Sequence, residues 1–505
     1  MHIQPIHTAT VVGVDGHPIR VEVDLLRRLP AVSIVGLPDG AIRESADRIR
    51  SAIQNSGFQF PRKRVVINLA PAGLKKSGTM FDLPIAMAIL QMDGQLESKI
   101  DLSQCLVIGE LALSGALRPI RGALSVALLA KSMGYQQMIL PMDNWKEVSV
   151  ITEVDCIGCN TLTDAISYLS GEDVTPAEIS NVSVYPKSSL DMSEVRGHDT
   201  PKRVLEIAAA GGHNVLMIGA PGCGKSMLAK RMSTILPKLT LQEAIDVTRI
   251  HSCAGILIRD GLVMERPFRS PHHSISTAGM IGNSKLLPGE VSLAHNGILF
   301  LDEMAEYRRD VLESLRTPLE DGEVTITRAS GQASFPAKCT LIAAVNPCPC
   351  GWRFHPDKIC TCSQSQLQRY ASKLSGPILD RIDLHIWVEP ITTSQFFDQT
   401  DPEPSDVIRS RVQSCRSKQT QRYTNSEFRC NADLQGEGLW EHCQLASKCQ
   451  SWLIDIANQE LLSARSVSRV IKVARTIADL DEVEQISKQH IAEAIGYRVT
   501  SEVVQ

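Results

Sequence analysis

The sequence predicts an α/β protein of three domains, on three observations. Short apolar runs alternate with segments of helical period through residues 1–390, and only helical periods follow them. One run, from Val215 to Ile218, leads directly into Gly219-Ala220-Pro221-Gly222-Cys223-Gly224-Lys225-Ser226 and then a helical stretch at 227–236. Another run, from Ile298 to Leu301, ends in the acid pair Asp302-Glu303. The expected layout is a first domain at residues 1–171, a linker at 172–190, a core at 191–390 and a helical domain at 391–505.

Within residues 1–171, positions 8–24 alternate apolar and polar residues around Asp15-Gly16, which predicts a β-hairpin turning there. Strands are expected at 32–35, 64–69, 105–109 and 137–140, and helices at 41–56, 83–91 and 123–133. Ile42, Ala46, Ile49 and Ile53 share one face of the first helix. Gly109-Glu110-Leu111, Gly115, Arg118-Pro119-Ile120 and Met138-Ile139-Leu140-Pro141 together resemble the proteolytic domain of Lon. That resemblance implies a nucleophilic serine just before the helix carrying Ile85-Ala86-Met87, and a lysine base shortly after the Pro-Ile pair. Here those places read Thr79-Met80-Phe81-Asp82-Leu83 and Arg121-Gly122-Ala123-Leu124, although Ser77 and Thr79 lie nearby. Without an activated hydroxyl and its base there is no covalent route. The expectation is a Lon-like fold without its protease chemistry.

Arg62-Lys63-Arg64 and Lys75-Lys76, with Arg43, Arg48 and Arg50 on the preceding helix, have two readings. One is a solvated positive face, the other a patch that follows a phosphate backbone. Cys156-x-x-Cys159 has no second pair close by and reads as two small, partly buried residues. Residues 172–189 are rich in Pro, Ser, Glu and Asn without a sustained period, as a linker is.

The bulk composition excludes several classes. Charged residues make up 21% and apolar ones 43%, ordinary for a globular chain, and no apolar run approaches the ~20 residues of a membrane helix. The first residues lack a signal-peptide pattern, so the 14 cysteines are expected reduced, in the cytoplasm, rather than as a disulfide framework. A net charge of −4 gives no basic coat, so any nucleic-acid contact must be local.

Strand, glycine-rich turn and helix start are the context in which GxxxxGK[ST] holds a triphosphate. Residues 219–226 would wrap the phosphates, Lys225 would reach the β/γ-phosphates, and Ser226 would sit on Mg²⁺. Asp302 would share the Mg²⁺ shell and Glu303 would polarise the attacking water. A strand at 340–345 ends at Asn346, suited to orienting that water, and Leu379-Asp380-Arg381-Ile382-Asp383 presents an arginine for a neighbouring subunit's γ-phosphate.

This series resembles the AAA+ superfamily in its magnesium-chelatase and MCM-like branch, and the ComM/YifB family of bacterial Mg-chelatase-like ATPases most of all. The strings that carry the likeness run from Ala208 to Asn214, Pro267 to His273, Pro288 to Gly297, Leu315 to Gly322 and Ser375 to His385. The family places a Lon-like domain before the motor, so the resemblance covers essentially the whole chain. It implies a hexameric ring and a DNA helicase that drives branch migration during natural transformation.

Two insertions follow from the same branch. Residues 274–287, which include Lys285, match an extra hairpin facing the pore, and residues 323–335 carry a second hairpin signal with Arg328 near its tip. In related helicases such hairpins grip DNA; the alternative is that they only pack the ring interface. His272 and His273 read as metal ligands or, preferably, as structural residues beside the nucleotide or the interface. Cys348-Pro349-Cys350 and Cys360-Thr361-Cys362 would give four thiolates to one structural Zn²⁺, with His355 as a spare ligand; free thiols or a redox pair are the alternatives.

Beyond a second loop-like break at 391–404, helical periods occupy 449–458, 467–477 and 485–494. Leu462-Ser463-Ala464-Arg465 with Ser468-Arg469 resembles the second sensor of AAA+ lids, which places Arg469 on the bound nucleotide; Arg475 is the weaker candidate. Arg409, Arg411, Arg416, Lys418, Arg422 and Arg429, with Tyr423 and Phe428 among them, suit either stacking on single-stranded DNA or a solvated helix. The leading expectation is an ATP-driven, DNA-translocating hexamer acting on single-stranded and branched duplex DNA beside recombination proteins, with ATP, Mg²⁺ and a structural Zn²⁺. The alternative is a chelatase-type motor that remodels a protein partner.

Overall fold

The computed structural model describes residues 4–76, 78–172, 190–257, 261–328, 331–355, 357–374, 376–392, 397 and 402–498. The expected linker falls almost wholly outside them. The first domain holds a seven-stranded mixed sheet ordered Ala31–Val35, Arg64–Ala70, Asp15–Leu26, Ile6–Val12, Cys105–Val107, Gln137–Pro141, Asp155–Cys159. Arg64–Ala70 alternates buried and half-buried side chains, the period-two burial of a strand with one dry face. Helix Asp82–Met92 is buried from Asp82 to Leu90, so it is a core helix rather than an amphipathic cover. Helix Gly40–Asn55 buries Ile42, Ile49 and Ile53, and the Asp39 carboxylate caps it by accepting the Ile42 N–H at 3.0 Å.

Several expectations for this domain change. The hairpin turns at Gly13-Val14, with Val12 paired to Asp15, two residues earlier than the Asp15-Gly16 signal suggested. Gly13 takes φ 67°, which a tight hairpin turn requires, and Val14 is buried in the next domain's core. The basic residues do not form one patch. Lys76 is fully buried with its ammonium on the Pro71 carbonyl, Arg48 pairs with Asp82 at 2.7 Å, and Arg50 lies over the Phe60 ring. Cys156 and Cys159 lie three apart on strand Asp155–Cys159 and so face opposite sides, and burial pushes both thiols up to about 12. Ser77 lies outside the described residues; the Thr79 hydroxyl donates to the Glu110 carboxylate.

The second domain is built on a five-stranded, all-parallel sheet ordered Phe268–Arg269, Ile298–Leu301, Thr340–Val345, Val215–Ile218, Leu384–Trp387. Its strands are apolar on both faces because helices cover both. Val215, Met217, Phe300 and Ile342 point toward helices Asp199–Gly211, Lys225–Ile235 and Ala464–Leu480. Leu216, Ile218, Leu301 and Ala343 point the other way, into a core shared with the hairpin Glu323–Arg328 and Gly331–Pro336. Burying one such Leu or Phe side chain contributes roughly 1.5–3 kcal/mol.

The C-terminal helices share the first of these two cores, with Val470, Ile471, Val473 and Ile477 packed against helices of the second domain. The basic segment at 409–429 holds that packing together. Arg409 bonds the Thr234 carbonyl, Arg416 that of Ala209, Arg422 the buried Asp479 carboxylate, and Arg429 the Asn296 side chain. Tyr423 is buried. Arg409, Arg416 and Arg429 tie the C-terminal helices to the second domain and Arg422 joins two of those helices to each other, so these residues are engaged in packing rather than set out as a surface for stacking DNA bases. Residues 274–287 likewise hold a short helix, Thr277–Ile281, and a single bridge between Gly282 and Pro288, rather than a β-hairpin.

Candidate functional site

The strand Val215–Ile218 ends at the carboxyl edge of the sheet, where ligands of parallel α/β sheets bind. There the chain turns through Gly222 (φ 81°) and Gly224 (φ 93°) into helix Lys225–Ile235. The Lys225 ammonium curls back on its own loop, donating to the carbonyls of Gly219 (2.7 Å) and Ala220 (2.9 Å) and to the Asn346 side chain (3.3 Å). These contacts hold the Lys225 ammonium inside the glycine-rich loop, where a phosphate would accept its N–H donors.

Sheet order explains why Asn346 is there. The strand Thr340–Val345 lies between the loop strand and Ile298–Leu301, so Asn346 emerges between Lys225 and the acid pair. The Tyr370 hydroxyl fixes its backbone by donating to the Asn346 carbonyl at 3.0 Å. On the far side, Ser226 Oγ donates to Asp302 Oδ2 at 2.7 Å, a hydroxyl and a carboxylate already together as hard-oxygen ligands for Mg²⁺. Bound there, the cation would neutralise charge developing on the β/γ-phosphate oxygens. Glu303 follows in the left-handed region at φ 50°, a rare backbone for a residue with a side chain, and donates its N–H to Asp302 Oδ1 at 3.0 Å. Thus the structure brings together Gly219–Ser226, Asp302, Glu303 and Asn346.

His198 was not singled out from the sequence. Its backbone is left-handed (φ 57°) and its Nε2, buried and without a hydrogen-bond partner, lies beside Gly224. The sequence signal was the Gly197-His198 step just before helix Asp199–Gly211.

The cysteine loop abuts the same site. Cys348 follows two residues after Asn346, and all four Sγ atoms of Cys348, Cys350, Cys360 and Cys362 lie within 4.8 Å of one another. The Cys348–Cys360 and Cys350–Cys360 separations, 3.7 and 3.6 Å, match the roughly 3.8 Å between sulfurs on a tetrahedral Zn²⁺. At Gly351 (φ 82°) an added Cβ would lie 2.5 Å from Pro221 Cδ, so this knuckle rests directly on the phosphate loop. His355 bonds the Asp357 N–H and is not part of the cluster.

Arg381 and Arg469 are elsewhere. Both attach at the amino edge of the sheet, beside Asn214 and Asp383, where the loop strand begins. From Asn214 to Gly219 is five strand residues, roughly 16 Å. Arg469 is therefore the one expected nucleotide ligand that the fold does not bring to its own phosphate loop. Its Nε pairs with Asp383 at 3.2 Å, and its Nη1 is buried without a hydrogen-bond partner among the described residues. Arg381 pairs with Glu320. Arg475 is buried and bonds the carbonyls of Val483 and Glu484, a structural role. His272 and His273 stack on each other at 4.0 Å, and His273 meets the Tyr307 ring edge; no third metal-ligating side chain joins them among the described residues.

Three segments match families of magnesium chelatase. Residues 191–396 match magnesium chelatase, subunit ChlI; residues 21–144 match subunit ChlI of Mg-chelatase; residues 402–498 match its C-terminal part. The YifB protein of Salmonella typhimurium is 40% identical over 501 residues, covering 99% of this chain and 97% of that one. The competence protein ComM of Haemophilus influenzae is 39% identical over 512 residues, covering 100% and 99%. The chain belongs to the ComM/YifB family of magnesium-chelatase-like proteins. A weaker likeness, 24% over 250 residues, relates 46% of the chain to 26% of the DNA helicase MCM8 of Bos taurus. With this family the loop and acid pair read as those of an AAA+ ATPase, for which ATP and Mg²⁺ follow.

In this ComM/YifB chain, the two segments with candidate DNA contacts come together. Gly282 lies against the Ile326 side chain and Leu286 beside Gly331, so exposed Lys285 and exposed Arg328 lie on adjoining segments. Among the described residues no helix is long and apolar enough to cross a membrane.

Proposed function

We propose that this chain is an ATP-driven DNA translocase that works as a ring, a hexamer in the family's arrangement, and promotes branch migration as in recombination during natural transformation. One observation carries the ring. The phosphate loop with Asp302, Glu303 and Asn346 sits at one edge of the sheet, while Arg381 and Arg469 sit at the other. A subunit so built holds half a site at each end, and head-to-tail repetition with rotation closes such halves into a ring. Arg381, helped by Arg469, then meets the neighbour's γ-phosphate, where such an arginine is worth ~10³–10⁵ in rate. His198 offers its free nitrogen to the nucleotide beside Gly224.

DNA as the substrate is supported by the names of the relatives, competence protein and DNA helicase, and by exposed Lys285 and Arg328 on adjoining segments. Recombination proteins are the partners this reading expects. The cysteine knuckle holds a structural Zn²⁺, since four protein ligands leave no open position for chemistry. The reach of the chelatase families along the chain favours a second reading, a motor that remodels a protein partner. One experiment separates the two: ATPase rate with and without single-stranded or branched DNA, alongside strand displacement. DNA stimulation and displacement support the translocase; neither stimulation nor binding at low salt overturns it.

A further inference from the structure

The subunit's own phosphate loop and the arginines for its neighbour are attached to the two ends of one four-residue strand. At the amino end, Asn214 holds both flanking strands. Its Oδ1 accepts the Leu341 N–H at 2.8 Å, and its Nδ2 donates to the Arg381 carbonyl at 3.0 Å. Its own carbonyl accepts the N–H groups of Asp383 (3.1 Å) and Leu384 (3.0 Å). The Asp383 carboxylate is the second junction. It receives the Asn214 N–H at 3.3 Å, faces His213 Nδ1 at 3.3 Å and pairs with Arg469 Nε at 3.2 Å. The other nitrogen of His213 lies 2.7 Å from the Thr476 hydroxyl, two turns along the helix that bears Arg469. His213 is wholly buried and Asp383 nearly so. Burial works against the Asp383 charge, but His213, Arg469 and Lys472 hold its carboxyl at about 2.

We infer that His213, Asn214 and Asp383 are positioning residues, fixing Arg381 and Arg469 on the strand that carries the subunit's own phosphate loop and so coupling one nucleotide site to the next. The inference rests on the reading that both arginines act on a neighbouring subunit. Val215–Ile218 is buried throughout and hydrogen-bonded on both sides, so it neither stretches nor bends when the loop closes on phosphate. A shift at the loop is carried to its other end. Among the described residues Asp383 is the one acid within ion-pair distance of Arg469, so replacing its charge leaves a buried guanidinium without that partner.

The test uses the full chain and trans-complementation. Asp383→Asn should turn over ATP about tenfold or more slowly while keeping its KM within about twofold, because its own loop is intact. Co-purified mixed assemblies of Asp383→Asn with Lys225→Ala, which keeps its arginines but loses its loop lysine, should regain turnover well above either alone. Asn214→Asp, which keeps the acceptor for Leu341 but not the donor to Arg381, should follow the same pattern and decides the matter if Asp383→Asn does not fold. Wild-type turnover in both variants, or a KM that worsens as much as kcat, overturns the inference. So does failure of these variants to be complemented when Arg381→Ala is. If Arg381→Ala is not complemented either, the neighbour reading itself has failed.

Discussion

Glu303 illustrates what a single residue contributes. Its left-handed backbone costs about 1–3 kcal/mol, strain that clusters at functional sites, and here it falls on the exposed residue directly after Asp302 at the end of the strand. Glu303→Gln should keep nucleotide binding and slow hydrolysis about a hundredfold or more, read by bound fluorescent nucleotide against phosphate release. Lys225→Ala should lose binding itself, since its buried ammonium is aimed into the cradle. The Asp383 carboxyl, held at about 2 in the fold against about 3.9 unfolded, makes a pH prediction. Its folded value is depressed, so its stabilisation is present above pH 4 and is lost as pH falls toward 2, roughly 2 kcal/mol in all. Chemical denaturation at pH 5 and pH 2.5 should show a smaller loss for Asp383→Asn than for the natural chain. An equal loss in both would remove this role.

At the scale of elements, the cysteine knuckle and the phosphate loop behave as one piece. Gly351 touches Pro221, and Asn346, two residues before the first cysteine, touches Lys225. Gly351→Ala should weaken nucleotide binding several-fold without changing zinc content, by pushing Pro221 aside at a backbone angle that disfavours any side chain. Cys348→Ser with Cys360→Ser should instead lose the zinc. Metal analysis of both proteins checks the pair, and equal zinc in the cysteine variant would remove the metal claim. The two cysteine pairs, the loop and the acid-ended strand were all legible from spacing. The expected hairpin at 274–287 was not, because Ser276 caps a short helix and Gly282 is pinned on the Ile326 side chain by tertiary contact.

Across the whole molecule, the first domain is keyed into the second. Arg249 on helix Leu241–Ala254 donates to the Val14 carbonyl and the Asp15 carboxylate, both at 2.8 Å, and Ser252 accepts the Gly122 N–H at 3.0 Å. The Gly13-Val14 turn therefore reaches the core that also holds the Glu323–Arg328 strand. Arg249→Ala should loosen this docking by about 1–3 kcal/mol, seen as earlier proteolysis at the domain junction or a separate first transition in calorimetry. Unchanged cleavage would show the contact to be incidental. Neighbouring residues were enough to predict the interleaved strands and helices, the phosphate loop, the acid pair, Asn346 and the cysteine spacing, because each depends on residues close in the chain. Tertiary structure decided what distant segments do to one another. It moved the first hairpin's turn, buried Lys76, used Arg409, Arg416 and Arg429 to clamp the C-terminal helices to the second domain, and placed Arg469 beside Asp383 instead of on its own loop. The physical reason is the same in each case: local pattern fixes backbone and hydrophobic face, while the partner of a charge is chosen by burial across the fold.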